Sequence, residues 1–151
     1  MMQRVKDVQL VLYKLNMNIK VFLSGGMNDS NWQQEVINSV GKEGYIYFNP
    51  REHFLSKSKE YTMWDLFYVK KCDVVFAYMQ KDNPSGFGLT LEIGYATALG
   101  KQIILVDEKS SFDEKFDEKF KIVRESSSIV FDSFSDGINF LKNLRNGIST
   151  L

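Results

Sequence analysis

The chain has 151 residues, 44% hydrophobic and 25% charged, with 19 basic and 19 acidic side chains in balance. That is the size and make-up of one globular domain with a real core, and a net charge of zero leaves no long-range field to hold a nucleic-acid polymer, although a pocket for a nucleotide-sized ligand needs only a few donors. One cysteine, Cys72, and one histidine, His53, exclude an internal disulfide and give no donor set for a zinc site or a Ser-His relay, so no metal is expected.

No apolar run approaches the roughly 20 residues that span a bilayer, and the N-terminus lacks the small-residue cleavage pattern of a secretion signal. The expectation is a cytoplasmic protein with no membrane partner. Residues 1–16 read as an N-terminal extension of uncertain structure, ahead of a domain over 17–151.

From Ile19 the rhythm is regular. Ile19-Lys20-Val21-Phe22-Leu23 is a short apolar run ending in Ser24-Gly25-Gly26, as a buried strand entering a tight loop would. Asp29 or Ser30 can cap a helix reaching about Val40, with Trp32, Val36, Ile37 and Val40 at helical spacing. Residues 45–48 form the second strand, broken by Asn49-Pro50. A polar connection over 51–60 leads to a helix over 62–71. Residues 73–79 are almost wholly apolar, as a central parallel strand is.

A Pro/Gly loop over 81–88 then enters a helix over 89–99, closed by Gly100. Residues 102–106 form the fourth strand. The charged stretch 107–125, with Phe-Asp-Glu-Lys twice, reads as a solvated helix with Phe anchors. A short strand over 128–131 and an amphipathic helix opened by Ser135 or Asp136 complete the chain. Strands alternating with helices at this spacing predict a single doubly wound α/β domain, Rossmann-like or flavodoxin-like, on a five-stranded parallel sheet. Right-handed crossovers then bring the loops after strands one and three together at the carboxyl edge, where such folds bind ligands.

Three elements meet at that edge. In Pro84-Ser85-Gly86-Phe87-Gly88-Leu89-Thr90-Leu91-Glu92, a loop enters a helix whose opening turns carry one carboxylate. The positive potential of a helix start favours the ionised form of Glu92 that a nucleophile or base requires; a Glu that merely complements the dipole is the plainer alternative. Asp65 sits on the preceding helix, where a solvated helix acid is the plainer reading, and Asp73 opens strand three as a structural acid. Ser24-Gly25-Gly26 offers backbone N–H groups and a hydroxyl to an anion, but is neither a Walker loop nor a dinucleotide fingerprint. Arg51 and His53 lie at the same edge, within reach of a phosphate or simply solvated. Trp64 and Phe87 can stack on a base or pack in the core, whereas Tyr95 and Lys101 read as a packing residue and a helix-end charge.

Leu91-Glu92-Ile93-Gly94-Tyr95-Ala96, continuing through Ala98-Leu99-Gly100-Lys101, resembles the signature of the nucleoside 2-deoxyribosyltransferase superfamily, which includes the 2′-deoxynucleoside 5′-monophosphate N-glycosidases. Asp65 followed by Cys72-Asp73-Val74-Val75, and the opening Val21-Phe22-Leu23-Ser24-Gly25-Gly26, resemble the same family; the likeness spans about residues 19–106.

The resemblance implies Glu92 as the nucleophile at C1′ and Asp65 as the group that helps protonate the departing base, in the manner of retaining glycosidases. The glycosyl ester then passes to another base or to water, with no cofactor. Ser24, Gly25, Gly26, Ser85, Gly86, Gly88 and Phe22 are the implied substrate-binding positions, and a homo-oligomer is implied, a dimer or larger. Two departures stand out. Phe22 occupies a place where the family often has a tyrosine orienting the nucleophile, leaving Tyr78, Tyr95 or another tyrosine as a substitute. Gly86, with Ser85 beside it, stands where the transferases tend to carry an Asp, which tilts the expectation towards 5′-phosphates. A catalytically silent nucleotide-sensing module and an NAD-type glycohydrolase are the rival readings.

Overall fold

The computed structural model describes residues 18–27, 30–82, 84 and 86–150, with side chains of the last helix described through Asn146; the expected extension over 1–16 lies outside the described residues. In chain order the elements are β1 (Ile19–Gly25), α1 (Trp32–Val40), β2 (Tyr45–Phe48), a 3-10 turn (Pro50–Glu52), α2 (Ser58–Lys71), β3 (Val74–Met79), α3 (Phe87–Ala98), β4 (Gln102–Asp107), α4 (Glu114–Ser126), β5 (Ile129–Phe131) and α5 (Phe134–Thr150). The five strands are all parallel, in the order β2-β1-β3-β4-β5. This is the flavodoxin-like order, with its switch point between β1 and β3. Among the described residues no helix is long and apolar enough to cross a membrane.

Period-two alternation divides the central strands between two cores. Val21 and Leu23 of β1, with Val74, Phe76 and Tyr78 of β3, face Trp32, Val36 and Ile37 of α1 and Ile138 and Leu141 of α5. Phe22 of β1, with Val75, Ala77 and Met79 of β3, faces Val69 of α2, Leu89, Ile93 and Ala96 of α3, and Phe116 and Val123 of α4. β3 is buried at all six positions, which accounts for its unbroken apolar run. At Gly137, α5 lies so close to β4 that an added Cβ would meet the Val106 side chain at 2.3 Å, so its backbone seats directly on the sheet.

Helix starts depart from the sequence expectations where the cap is not where local chemistry suggests. α1 is capped by Asn31, whose Oδ1 accepts from the Gln34 N–H, rather than by Ser30; Asp29 lies outside the described residues. α2 begins at Ser58, four residues before the expected 62, with no side-chain cap at Lys57. α3 begins at Phe87, two residues early, on Gly86. α4 is capped by Asp113, and of its two Phe-Asp-Glu-Lys copies the second supplies the buried anchor: Phe116 is 9% exposed and Phe112 is 71% exposed.

Candidate active site

β1 carries the site's floor. Because Phe22 and Ser24 share one face of the strand, Ser24 points to the side covered by α2, α3 and α4. Ser24 is 1% exposed, and its hydroxyl donates to Oε2 of Glu92 at 2.5 Å. A buried hydroxyl requires a partner, and 68 residues along the chain Glu92 provides it. The same bond withdraws the Ser24 hydroxyl from the anion-binding role its sequence suggested. Gly25 follows, and its missing side chain has a steric reason: a Cβ would come within 2.7 Å of both the Tyr78 carbonyl oxygen and the Trp32 ring. The Gly26 carbonyl accepts from Trp32 Nε1 at 2.9 Å and from Gln33 Nε2 at 3.3 Å, so the first residues of α1 pin the loop after β1.

Glu92 is the sixth residue of α3, one turn beyond the amide-rich start, and no acidic residue occupies the first turn. The expectation that the helix start keeps it ionised therefore fails, because the dipole's influence falls off within that turn. Burial instead pushes its carboxyl up to about 8; the Ser24 hydrogen bond opposes the rise and the charge of Asp65 adds to it.

Asp65 lies on α2, which packs beside α3. Burial pushes its carboxyl up to about 6, and His53 pulls the other way. Its Oδ1 is sealed from solvent with no hydrogen-bond partner among the described residues. The structure thus brings Ser24, Asp65 and Glu92 together, and adds His53. The His53 ring lies 5.1 Å from Trp64, edge-on, and parallel to Tyr61 at 6.3 Å. Its Nδ1 accepts from the Leu55 N–H at 2.8 Å, which leaves the proton of the neutral ring on Nε2. Only the position of His53 after strand two hinted at this edge; nothing local signalled its approach to Asp65.

Other expected site residues fall elsewhere. Phe22, expected as a binding residue, is fully buried and packs 6.3 Å from Trp64. Trp64 joins the same packing, with Tyr68 at 4.5 Å. Tyr78 faces the opposite core and donates to Glu108 Oε1 at 2.5 Å, so it does not replace the missing tyrosine; Tyr95 packs against the site-side core. Gly86 is the N-cap of α3, its carbonyl taken by the Thr90 N–H and hydroxyl, while Gly88 has open space where a Cβ would be. Ser85 lies outside the described residues. Arg51 is engaged through Nε with Gln33 Oε1 at 2.7 Å and through a second nitrogen with the Ser30 carbonyl, holding the β1–α1 connection. Asp73 accepts from the Lys20 N–H at 2.9 Å, the structural role expected of it.

Two cavities lie apart from the carboxylates. One of about 400 Å³ is lined by Asp107, Arg124 and Asp132 among others, and one of about 190 Å³ opens between the start of α3 and α4. The larger is not an anion site, because its guanidinium already serves Asp107, Ser110 and Asp117. No group of three or more His, Cys, Asp or Glu side chains among the described residues is arranged to hold a metal.

A family model described as nucleoside 2-deoxyribosyltransferase like matches residues 18–110, from the start of β1 past the end of β4. The chain belongs to this family. Solved structures agree on the nucleoside 2-deoxyribosyltransferase-like fold. A 2-desoxiribosyltransferase from Leishmania mexicana aligns with a TM-score of 0.64 at 16% identity, over 83% of this chain and 97% of the other. A CMP N-glycosidase from Clostridium botulinum, BcmB, gives 0.56 at 22%, over 81% and 97%, and a protein named BlsM gives 0.58 at 23%, over 85% and 88%. No curated protein matches the chain in sequence. Family members are N-glycosyl transferases and hydrolases acting on small nucleoside or nucleotide substrates.

Proposed function

We propose that this protein cleaves the N-glycosidic bond of 2′-deoxynucleosides or their 5′-monophosphates and passes the sugar to another base or to water. The observation that carries the reading is the Glu92 carboxyl, anchored by Ser24 at the end of β1 and electrostatically coupled to Asp65. An oxygen of Glu92 bonds to C1′ as the C1′–N bond breaks; the bonding pair leaves with the base, which takes a proton from Asp65. Water or a second base then displaces the ester, with Asp65 accepting the proton of the incoming nucleophile. The chemistry requires one proton between the two acids, on Asp65. Burial raises both carboxyls above their ordinary range, so the pair retains a proton that either acid can carry. A bound base with a lone pair facing Asp65 and an electron-poor anomeric carbon facing Glu92 favour the proton on Asp65. Neither metal nor cofactor is needed.

Incubation with deoxynucleosides, deoxynucleotides, CMP and NAD, with and without an acceptor base, and chromatography of the free base tests the reading. CMP is included because one structural neighbour is named for it; release of nicotinamide would identify the NAD-type alternative. Absence of base release from every substrate would leave the silent sensing module, although its main support, the missing hydroxyl at Phe22, is weakened by the hydroxyl that Ser24 supplies. Asp65→Asn is expected to slow base departure by about 10²- to 10⁴-fold, most for the poorest leaving groups. An equal loss across good and poor leaving groups would remove Asp65 as the acid.

We further propose assembly as a homo-oligomer through the α2–α3 surface. Met63 and Phe67 on α2 and Phe87 and Leu91 on α3 are 51–90% exposed, an apolar display on the two helices that carry the carboxylates. Sedimentation velocity is expected to show a dimer or larger; a monomer at every concentration would sink this part.

A further inference from the structure

We propose that Ser24 is a positioning residue for the nucleophile: its hydroxyl fixes Oε2 of Glu92 and thereby leaves Oε1 as the atom that attacks C1′. The inference rests on Glu92 being the nucleophile, and names what holds it in place of the family tyrosine absent at Phe22.

Geometry supports it from both partners. Ser24 is fixed by the sheet, in register with Ala77 of β3, and at 1% exposure its short side chain has little room to reorient. Glu92 has three rotatable bonds between backbone and carboxylate oxygens, and without an anchor it loses the orientation that attack at a carbon demands. Among the described residues the Ser24 bond is the one hydrogen bond to the Glu92 carboxyl, and Oε1 accepts from no protein donor. A carboxylate held by one oxygen presents the other. A charge-assisted bond of this length also stabilises the ionised form over the neutral one, which counters the burial of Glu92 and the neighbouring charge of Asp65 on α2. The remaining titratable neighbour, His53, acts on Asp65.

In the reaction the Ser24 proton stays on its oxygen throughout. As the bond from Oε1 to C1′ forms and Glu92 loses its charge, the hydrogen bond weakens; it strengthens again when the ester is displaced. Ser24 therefore acts on the orientation and ionisation of Glu92 and not on the substrate.

The test pairs a titration with kinetics, using Ser24→Ala, which removes only a hydroxyl from a site able to hold the smaller residue. Carboxyl ¹³C NMR of glutamate-labelled full-length protein, with Glu92 assigned by its loss in Glu92→Gln, is expected to show Glu92 titrating at higher pH in the variant than in the parent. On whichever substrate the parent turns over, kcat is expected to fall about 10- to 100-fold, with KM within about twofold and the limb of the kcat/KM profile that Glu92 governs in the free enzyme displaced upward. An unmoved Glu92 titration overturns the inference whether or not any substrate is found, while an inactive parent with a shifted titration counts against the enzymatic reading alone. A KM that rises for 5′-monophosphates and not for nucleosides, with an unmoved limb, returns Ser24 to the anion loop and also overturns the inference.

Discussion

Glu92→Ala is expected to abolish release of free base, with a loss of at least about 10³-fold in kcat, because the covalent route has no other nucleophile. The remaining acid, Asp65, is on a different helix and handles the base; it cannot replace the bond to C1′. Removal of a group used only in the transition state lowers kcat and kcat/KM together, so KM for a deoxynucleotide is expected to change little. The measurement is product formation under saturating substrate, checked against far-UV circular dichroism to show that the fold is intact. Undiminished turnover in the folded variant would remove the mechanism. A loss of only a fewfold would count against Glu92 as the reacting group as well, because even a general base contributes about 10²- to 10⁴-fold.

Glu92→Gln is expected to stabilise the protein, and increasingly so as the pH rises. In the folded chain burial raises the carboxyl to about 8, whereas an unfolded glutamate titrates near about 4.3. Between those values the folded state binds more protons than the unfolded one, so stability falls with rising pH. The protonated-state contribution is intact below about pH 4, and is lost as the pH climbs through the folded value. Glutamine keeps the shape and can still accept from Ser24, yet never has to carry a buried charge. Thermal unfolding at pH 4 and at pH 9 is expected to give nearly equal midpoints for parent and variant in acid and a clear gap in alkali. That gap corresponds to a few kcal/mol, on the order of the shift times 1.4 kcal/mol per pH unit. Parallel pH dependences would show that the carboxyl is not desolvated. The two outcomes together describe a common bargain in which a working group is kept at the expense of stability.

The sheet and its helices were legible because each strand's hydrophobic run and each break coincided. Ile19 to Leu23 stops at Ser24-Gly25-Gly26, and the apolar run ending at Met79 marks a strand buried on both faces. The helix starts were less legible: α2 gives no capping signal at Lys57, and Ser58-Lys59-Glu60 read as loop by polarity although they face solvent as helix. At the site, Glu92 and Asp65 stood out through the family resemblance. The partner of Ser24 did not, because it depends on which strand face meets α3, although counting two residues on from the apolar Phe22 would have put it on that face. The ionisation of Glu92 is hidden from the local sequence for the same kind of reason. Distance from a helix start can be counted along the chain, whereas desolvation is set by elements far away in sequence.

The unpartnered Oδ1 of Asp65 has a consequence for which heterocycles the protein accepts. An oxygen shut away from water and, among the described residues, given no neighbour to bond with is already dehydrated, so a small rotation that turns it to a ligand regains a hydrogen bond without first stripping solvent from the protein. A ring nitrogen at that point supplies the lone pair. A deaza analogue, identical in outline but with carbon at the same position, leaves the oxygen as bare as before and has no basic atom to capture the proton. Discrimination of this kind turns on a single atom, and it is stronger than a pocket wall could achieve by shape.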